Sequence, residues 1–411
     1  MKHINLMAPA GSFESLHAAI NAGCNSVYFG VEQLNMRARS SINFTTDDMR
    51  EIASLCNDKG VATYLTLNTI MYDHDMTIMK SIVQQAYEAG ISAIIASDHA
   101  VMMHANKVGI PVHISTQVNI TNIETVEFYA AFAETMVLSR ELSLSQVAHI
   151  SREIERRNIT GPTDKLIQLE VFAHGALCMA VSGKCYLSLH SHNASANRGA
   201  CIQNCRRPYT VIDKDEGVEL EIDNEYIMSA KDLCTIGFLD KVLEAGVSVL
   251  KIEGRGRSAD YVDTTISSYR EAIDAIQTGN YTAEKIAHWE QQLSRVFNRG
   301  FWSGYYLGQK IGEWNDAYGS KATTKKVFLG RSTNFFGKIN VAEFKLETGS
   351  LKIGDEIIIT GPTTGLVRTS VKEMRSDDRS AIGEVTKGDV FSTPLMDKVR
   401  PSDKLYKIVD A

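Results

Sequence analysis

Along the first 270 residues one pattern of apolar and polar positions recurs. A short β-branched or apolar run ends on a small or polar residue, and an amphipathic stretch of helical period follows. The runs that read as strands are INLMAPA (4–10), SVYFGV (26–31), ATYLTLN (62–68), AIIASD (93–98), PVHISTQ (111–117), TMVLS (135–139), IQLEVFAH (167–174) and SVLKIEG (248–254). Between them lie stretches such as SFESLHAAINAG and DDMREIASLCNDKG, both ending in glycine, a common helix C-cap. Strands alternating with helices imply a parallel sheet. Eight such units predict an α/β fold, a (β/α)8 TIM-like barrel. An open doubly wound sheet is the alternative with the same local pattern.

The rhythm breaks twice. The connection between the seventh and eighth strands runs from about 175 to 247, longer than a usual barrel loop. After ADYVDTTISSYREAIDAIQ (259–277) and a further helical stretch to about 297, the pattern changes to short strands and turns from about 325 onward. The expected division is a TIM-like barrel domain at 1–322, with the insertion at about 175–247, and a small all-β barrel domain at 323–411. The aromatic segment NRGFWSGYYLGQ (298–309) lies between them and is expected to pack the domain interface; stacking on nucleic-acid bases is the other use open to its rings.

Composition narrows the class. The 411 residues are 44% hydrophobic and 22% charged, as in a soluble globular protein, and no run approaches the roughly 18 apolar residues of a membrane span. The start, MKHINLMAPAGS, lacks the apolar core of an export signal, so a cytoplasmic location with reduced thiols is expected. A net charge of −6 excludes a generally basic nucleic-acid coat and leaves room for local basic patches.

Barrels of this kind carry their sites at the C-terminal strand ends. Those ends supply Asn68, Asp98, Gln117, Arg140, Glu141, His174, Glu253 and Arg255, and the loop NMRARSSINF adds Asn35, Arg37, Arg39 and Asn43. Arg37, Arg39, Asn68, Gln117, His174, Glu253 and Arg255 are the candidate catalytic residues; the arginines suit a small anionic ligand, because guanidinium forks bind carboxylates bidentately. Taken singly, each is equally compatible with a helix cap or a solvated loop position.

Four of the seven cysteines fall within 28 residues, spaced Cys178-x6-Cys185-x15-Cys201-x3-Cys205. A zinc ribbon would show two tight knuckles, and only the second pair here is tight. Iron–sulfur clusters accept wider spacings when four thiolates converge. Iron–sulfur, zinc and incidental thiols all remain open on spacing. Gly175, Gly183 and Gly199 would let the chain curl around a bulky cluster, and Arg198, Arg206 and Arg207 could offset its charge. Cys24 and Cys56 read as packing residues, and Cys234, placed at the start of a helical pattern, as structural or as a fifth candidate ligand.

The segment EVFAHGALCMAVSGKCYLS (170–188) resembles the signature of the U32 peptidase family, also called collagenase-like proteases. LMAPAGSFESLHAAINAGCNSVYFG, NMRARSSINF and VLKIEGRGRSADYV (249–262) extend the resemblance over roughly residues 4 to 275. It is nearest the branch of tRNA hydroxylation proteins, which implies an oxygen-independent hydroxylase forming 5-hydroxyuridine at the tRNA wobble position. Sister branches act on ribosomal RNA or on the ubiquinone ring. The resemblance further implies a [4Fe–4S] cluster on Cys178, Cys185, Cys201 and Cys205, prephenate as a dicarboxylate co-substrate, an electron partner it does not name, and a small C-terminal β domain. The family name implies proteolysis instead, but HExxH and GxSxG are absent, and four clustered thiols serve poorly as one activated nucleophile. For an anticodon loop, Arg198, Arg206, Arg207, Lys251, Arg255 and Arg257 are expected near the barrel mouth, Lys321, Lys325, Lys326 and Arg331 beside the β domain, and Tyr186, Tyr209, Phe301, Trp302, Tyr305 and Tyr306 as stacking rings.

Overall fold

A computed structural model of the chain describes residues 3–38, 43–210, 226–317 and 319–411. Arg39 lies outside the described residues. Seven strands come first: β1 (Asn5–Pro9), β2 (Ser26–Phe29), β3 (Ala62–Leu67), β4 (Ala93–Ala96), β5 (Val112–Ile114), β6 (Thr135–Val137) and β7 (Gln168–Gly175). Six helices connect them: α1 (Phe13–Asn21), α2 (Asp48–Asn57), α3 (Met76–Glu88), α4 (His99–Val108), α5 (Ile123–Ala130) and α6 (Leu144–Arg157). The connection after β7 holds α7 (Leu187–His192), β8 (Asp232–Cys234) and α8 (Leu239–Glu244), and then comes β9 (Val249–Ile252). β9 pairs in parallel with both β1 and β7, Val249 lying opposite Asn5 on one side and Glu170 on the other. That double pairing closes an eight-strand parallel barrel and rules out the open sheet.

Side-chain alternation sorts the strands into two faces. Leu6, Ala8, Val27, Phe29, Leu65, Leu67, Leu250 and Ile252 pack outward against the helices. Met7, Tyr28, Tyr64, Ala93, Ile95 and Val249 fill the interior. Two charges share that interior: Lys251 donates to Glu170 at 2.8 Å across the β7–β9 pair, and both are buried. Lys251 therefore does not face a phosphate, contrary to the sequence expectation. His113 packs against Tyr64 with ring centroids 4.4 Å apart and planes tilted by 48°, and burial pushes its imidazole down to about 3, so it stays neutral beside Glu170.

After the barrel come α9 (Ala259–Gln277), α10 (Ala283–Arg295) and β10 (Phe301–Trp302), which extends β8. The rings of the 298–309 segment pack on the barrel and its insertion. Trp302 joins Leu177 and Ala230 of the insertion, and the Tyr306 hydroxyl donates to the Phe172 carbonyl at 2.9 Å. Ten strands complete the chain: β11 (Thr324–Phe336), β12 (Val341–Leu346), β13 (Ser350–Lys352), β14 (Glu356–Gly361), β15 (Gly365–Ser370), β16 (Met374–Ser376), β17 (Ala381–Ile382), β18 (Glu384–Thr386), β19 (Val390–Pro394) and β20 (Lys404–Asp410). Eight form an antiparallel sheet ordered β15-β14-β20-β11-β12-β19-β16-β17. The β13–β18 pair shares its core through Leu351 and Val385. This unit sits on α1 and α9: Arg368 donates to Thr264 at 3.1 Å, and Gly365 abuts His17. No described helix is long and apolar enough to cross a membrane.

Candidate functional site

β9 ends at Ile252, and the Glu253-Gly254-Arg255 segment that follows it organises the barrel mouth. Arg255 is buried and donates through Nη1 to Asn35 Oδ1 (3.1 Å) and Thr66 Oγ1 (2.8 Å). Gly30 makes room for it, since a Cβ there would lie 2.5 Å from that Nη1. Arg37 pairs with Glu253, and its own amide donates to Asn35 Oδ1 at 3.0 Å. Arg140 lies 3.6 Å over the Phe172 ring and donates to the Ala176 carbonyl at 2.8 Å; its buried Nε has no partner among the described residues. Burial alone would raise the Glu253 carboxyl, but Arg37, Arg140 and Arg255 together hold it down to about 2. Burial lowers Arg255 to about 10, still cationic at neutral pH. Three guanidiniums around one carboxylate leave the mouth with two formal positive charges. That balance is matched to a dianion.

Asn68 and Gln117 adjoin this group. Asn68 accepts from the Met36 amide (3.2 Å) and donates to Ser115 (3.3 Å) and to Gln117 Oε1 (3.4 Å). The sequence reading does not include Tyr28, whose hydroxyl donates to the Ile252 carbonyl at 2.9 Å and lies 3.3 Å from Glu253 Oε2. Its interior position in strand alternation was the available signal. His174 is not part of the group. The bulge between Phe172 and His174 turns it outward, where it packs on Tyr261, Tyr269 and Phe301, and burial lowers it to about 3. A neutral, enclosed imidazole there fills space. Asp98 caps α4, accepting from Ala100 at 2.8 Å, and also takes the Met71 amide at 2.9 Å. The hydroxyl of Ser139 donates to Glu141. Asn43 donates to the Arg37 carbonyl at 3.3 Å.

The cysteine segment roofs this mouth. A Cβ on Gly199, at φ +77°, would lie 2.3 Å from the Asn35 carbonyl oxygen, so the segment seats directly on the Arg37 loop. A Cβ on Gly183 would lie 2.9 Å from Gln117 Cγ. Arg206 threads the segment together, donating to Leu177 O (2.7 Å), Ala230 O (2.7 Å) and Ser229 Oγ (3.0 Å). Burial raises the Cys185 thiol, and Cys178 and Cys201 push it the same way. Burial also raises Cys205, with Arg206 opposing and Cys178, Cys201 and Cys185 adding to the rise. Cys178 and Cys201 therefore lie near enough to Cys185 and Cys205 to act on them, and Arg37 and Arg140 lie within reach of Cys201 and Cys178 respectively. Among the described residues, no three His, Cys, Asp or Glu side chains are drawn closely enough to hold a metal ion as they stand. The cysteines are neighbours over the mouth, and their all-thiol donor set is the kind iron–sulfur clusters use. Cys234 stands apart: it ends β8 instead of starting a helix, lies 3.9 Å from the Tyr269 hydroxyl, and is pushed to about 12 by burial.

Several expected phosphate ligands have other duties. Arg257 stacks 3.5 Å from the Phe297 ring, Lys326 pairs with Asp260, Lys321 with Asp316, and Arg331 with Glu347 at 3.3 Å. Tyr209 donates to the Asn204 carbonyl at 2.8 Å. Two surface hollows of about 490 Å³, one beside Trp289 and one beside Tyr306, do not include the Arg37–Glu253 group.

Comparison with known proteins places this arrangement. The family described as Peptidase family U32 matches residues 11–316. A collagenase of Porphyromonas gingivalis is 58% identical over 98% of this chain and 97% of its own. The tRNA hydroxylation protein P1 of Bacillus subtilis is 28% identical over 99% of this chain and 95% of its own. The 23S rRNA 5-hydroxycytidine C2501 synthase of Escherichia coli is 34% identical over 75% of this chain and 46% of its own.

Proposed function

From the premise that this chain belongs to peptidase family U32, we propose that it is an RNA-modifying hydroxylase, not a protease. The observation that carries the reading is the four-cysteine segment seated through Gly199 on the Arg37 loop, where Arg37, Arg140 and Arg255 surround Glu253. The finer form of the reading is formation of 5-hydroxyuridine at the wobble position of a tRNA anticodon loop, with prephenate as co-substrate; a ribosomal RNA cytidine is the sister substrate. Relatives named for tRNA and rRNA hydroxylation support the coarser reading of an RNA-modifying hydroxylase.

Cys178, Cys185, Cys201 and Cys205 would hold a [4Fe–4S] cluster, which supplies one-electron redox chemistry when bound. The chain's own residues do the rest. Arg37, Arg140 and Arg255 offer a two-charge surplus for the two carboxylates of prephenate, and Arg140 has a spare buried donor. Asn68 and Gln117 offer amide groups of the sort that read a base edge or a hydroxyl. Tyr28 stays neutral, because burial and the Glu253 charge raise it far above its ordinary value.

Proteolysis finds less support. Partial burial raises the half-exposed Cys185 and Cys205 thiols, the opposite of an activated nucleophile. Ser191 lies 2.8 Å from His192 Nδ1 but gives its proton to the Leu187 carbonyl at 2.6 Å. The deciding experiment is nucleoside analysis of tRNA from a strain lacking the gene and any second source of the modification. Loss of 5-hydroxyuridine derivatives, restored by the gene, is expected. Their persistence, with gelatin cleavage that vanishes on Cys178→Ala, would establish the protease instead. Anaerobically purified protein should carry about four irons per chain.

A further inference from the structure

The rim of the mouth carries an exposed aromatic ring held in a fixed pose. Tyr72 is 52% exposed, four residues beyond Asn68. The loop beneath it is pinned at successive residues: Ile70 N–H donates to Asn197 O (3.1 Å), Met71 N–H to Asp98 Oδ2 (2.9 Å) and Tyr72 N–H to Asp75 Oδ2 (2.7 Å). One face of the ring is covered by the Arg198 guanidinium, whose Cζ lies 4.2 Å from the ring centroid. Arg198 cannot swing away easily. Asp75, which is buried, grips it through both Nη atoms, with Nη2 at 3.1 Å, and its Nη1 also reaches the Ile70 carbonyl at 2.6 Å. An ordinary surface tyrosine needs none of this bracing. The His74 ring also meets Tyr72 edge-on at 5.6 Å, and about half of the tyrosine stays exposed. A ring with one face on a cation and that much open surface is pre-organised to stack a second planar group.

The surroundings say which planar group. Residues 176–210 contain Lys184, Arg198, Arg206 and Arg207 and no Asp or Glu, in a chain with 43 basic and 49 acidic residues. Arg206 is spent on carbonyls and Arg198 on Asp75, which leaves Lys184 and Arg207 exposed. Tyr186 on the same segment is 73% exposed. A local cationic surface with open aromatic rings fits a polyanion that presents flat faces, namely single-stranded RNA.

We infer that Tyr72, backed by Arg198 and Asp75, is a stacking platform for one unpaired base of the substrate RNA beside the mouth. The inference rests on the RNA reading above and deepens it. The test measures binding of the full chain to a fluorescein-labelled RNA hairpin with a uridine-containing loop, and to the same stem as a blunt duplex. Loss of one base stack weakens binding roughly five- to 150-fold, so Tyr72→Leu should lose that much for the hairpin, while Tyr72→Phe should stay within about twofold. Duplex binding should not change in either variant, and thermal melts should coincide, since the side chain is half exposed. Hairpin binding by Tyr72→Leu equal to the wild type, or equal losses for hairpin and duplex, would overturn the platform and leave the RNA reading standing. A wild-type chain that binds neither RNA would overturn the RNA reading itself.

Discussion

Replacing Glu253 by Gln removes the carboxylate on which Arg37, Arg140 and Arg255 all act. The three guanidiniums hold that carboxyl at about 2 against an ordinary value of 4.5, a gap that corresponds to about 3 kcal/mol at about 1.36 kcal/mol per pH unit. The side chain is 13% exposed, so little of this is lost to solvent screening. A carboxylate whose folded value lies below its unfolded one contributes stability that is present above about pH 4.5 and lost as pH falls toward 2. Urea unfolding followed by circular dichroism should therefore place Glu253→Gln about 3 kcal/mol below the wild type near pH 7, with the gap narrowing once the pH drops under about 4.5. A dicarboxylate such as malonate should raise the melting temperature of the variant more than that of the wild type, because it meets an extra uncompensated guanidinium. A gap below about 1 kcal/mol at neutral pH, or one that does not change with pH, would refute the electrostatic account of the mouth.

Three further outcomes follow from the same geometry. Lys251→Met strands buried Glu170 without its 2.8 Å partner and should cost about 3–5 kcal/mol in urea unfolding, whereas the double change to Met and Leu should recover much of it. Gly199→Ala puts a Cβ 2.3 Å from the Asn35 oxygen at φ +77°, so it should unseat the cysteine segment and lower the iron bound per chain, with the barrel's circular dichroism retained. Asp263, between the barrel and the β unit, is raised by burial to about 6 despite Arg368; its contribution is present below about 3.8 and lost as pH rises through about 6, so Asp263→Asn should be more stable than the wild type at about pH 8 and no more stable near pH 4, by thermal melting.

Much of the frame was legible because its signals are local. Strand alternation separates Val27 and Phe29 from Tyr28 within three residues, and glycine at a helix end or a tight approach declares itself in the sequence. The same locality exposed Cys201-x3-Cys205 and the polar strand ends. Local signals also misled. His174 ends a strand as a site residue should, but a bulge two residues earlier turns it to the helix side. Arg206 and Arg257 look like free cations in sequence and are bound to carbonyls and to a phenyl ring in space. Trp302 and Tyr306 look like an interface between domains and pack instead on β7 and the insertion.

The sequence by itself determined the alternation of strands and helices, the long seventh connection and the grouping of thiols, since hydrophobic period and cysteine spacing act over a few residues; closure of the sheet was decided by the pairing of β9 with both β1 and β7. Only the tertiary structure decided which charges work together. Arg37 meets Glu253 across 216 residues and Arg198 meets Asp75 across 123, and both pairings exist because a closed sheet brings β2, β3, β9 and the insertion to one mouth. A guanidinium carries no mark of its partner in its own neighbourhood of sequence. Whether it serves as a ligand, a brace or a buried counter-charge is settled by the desolvation and the partner that the fold imposes.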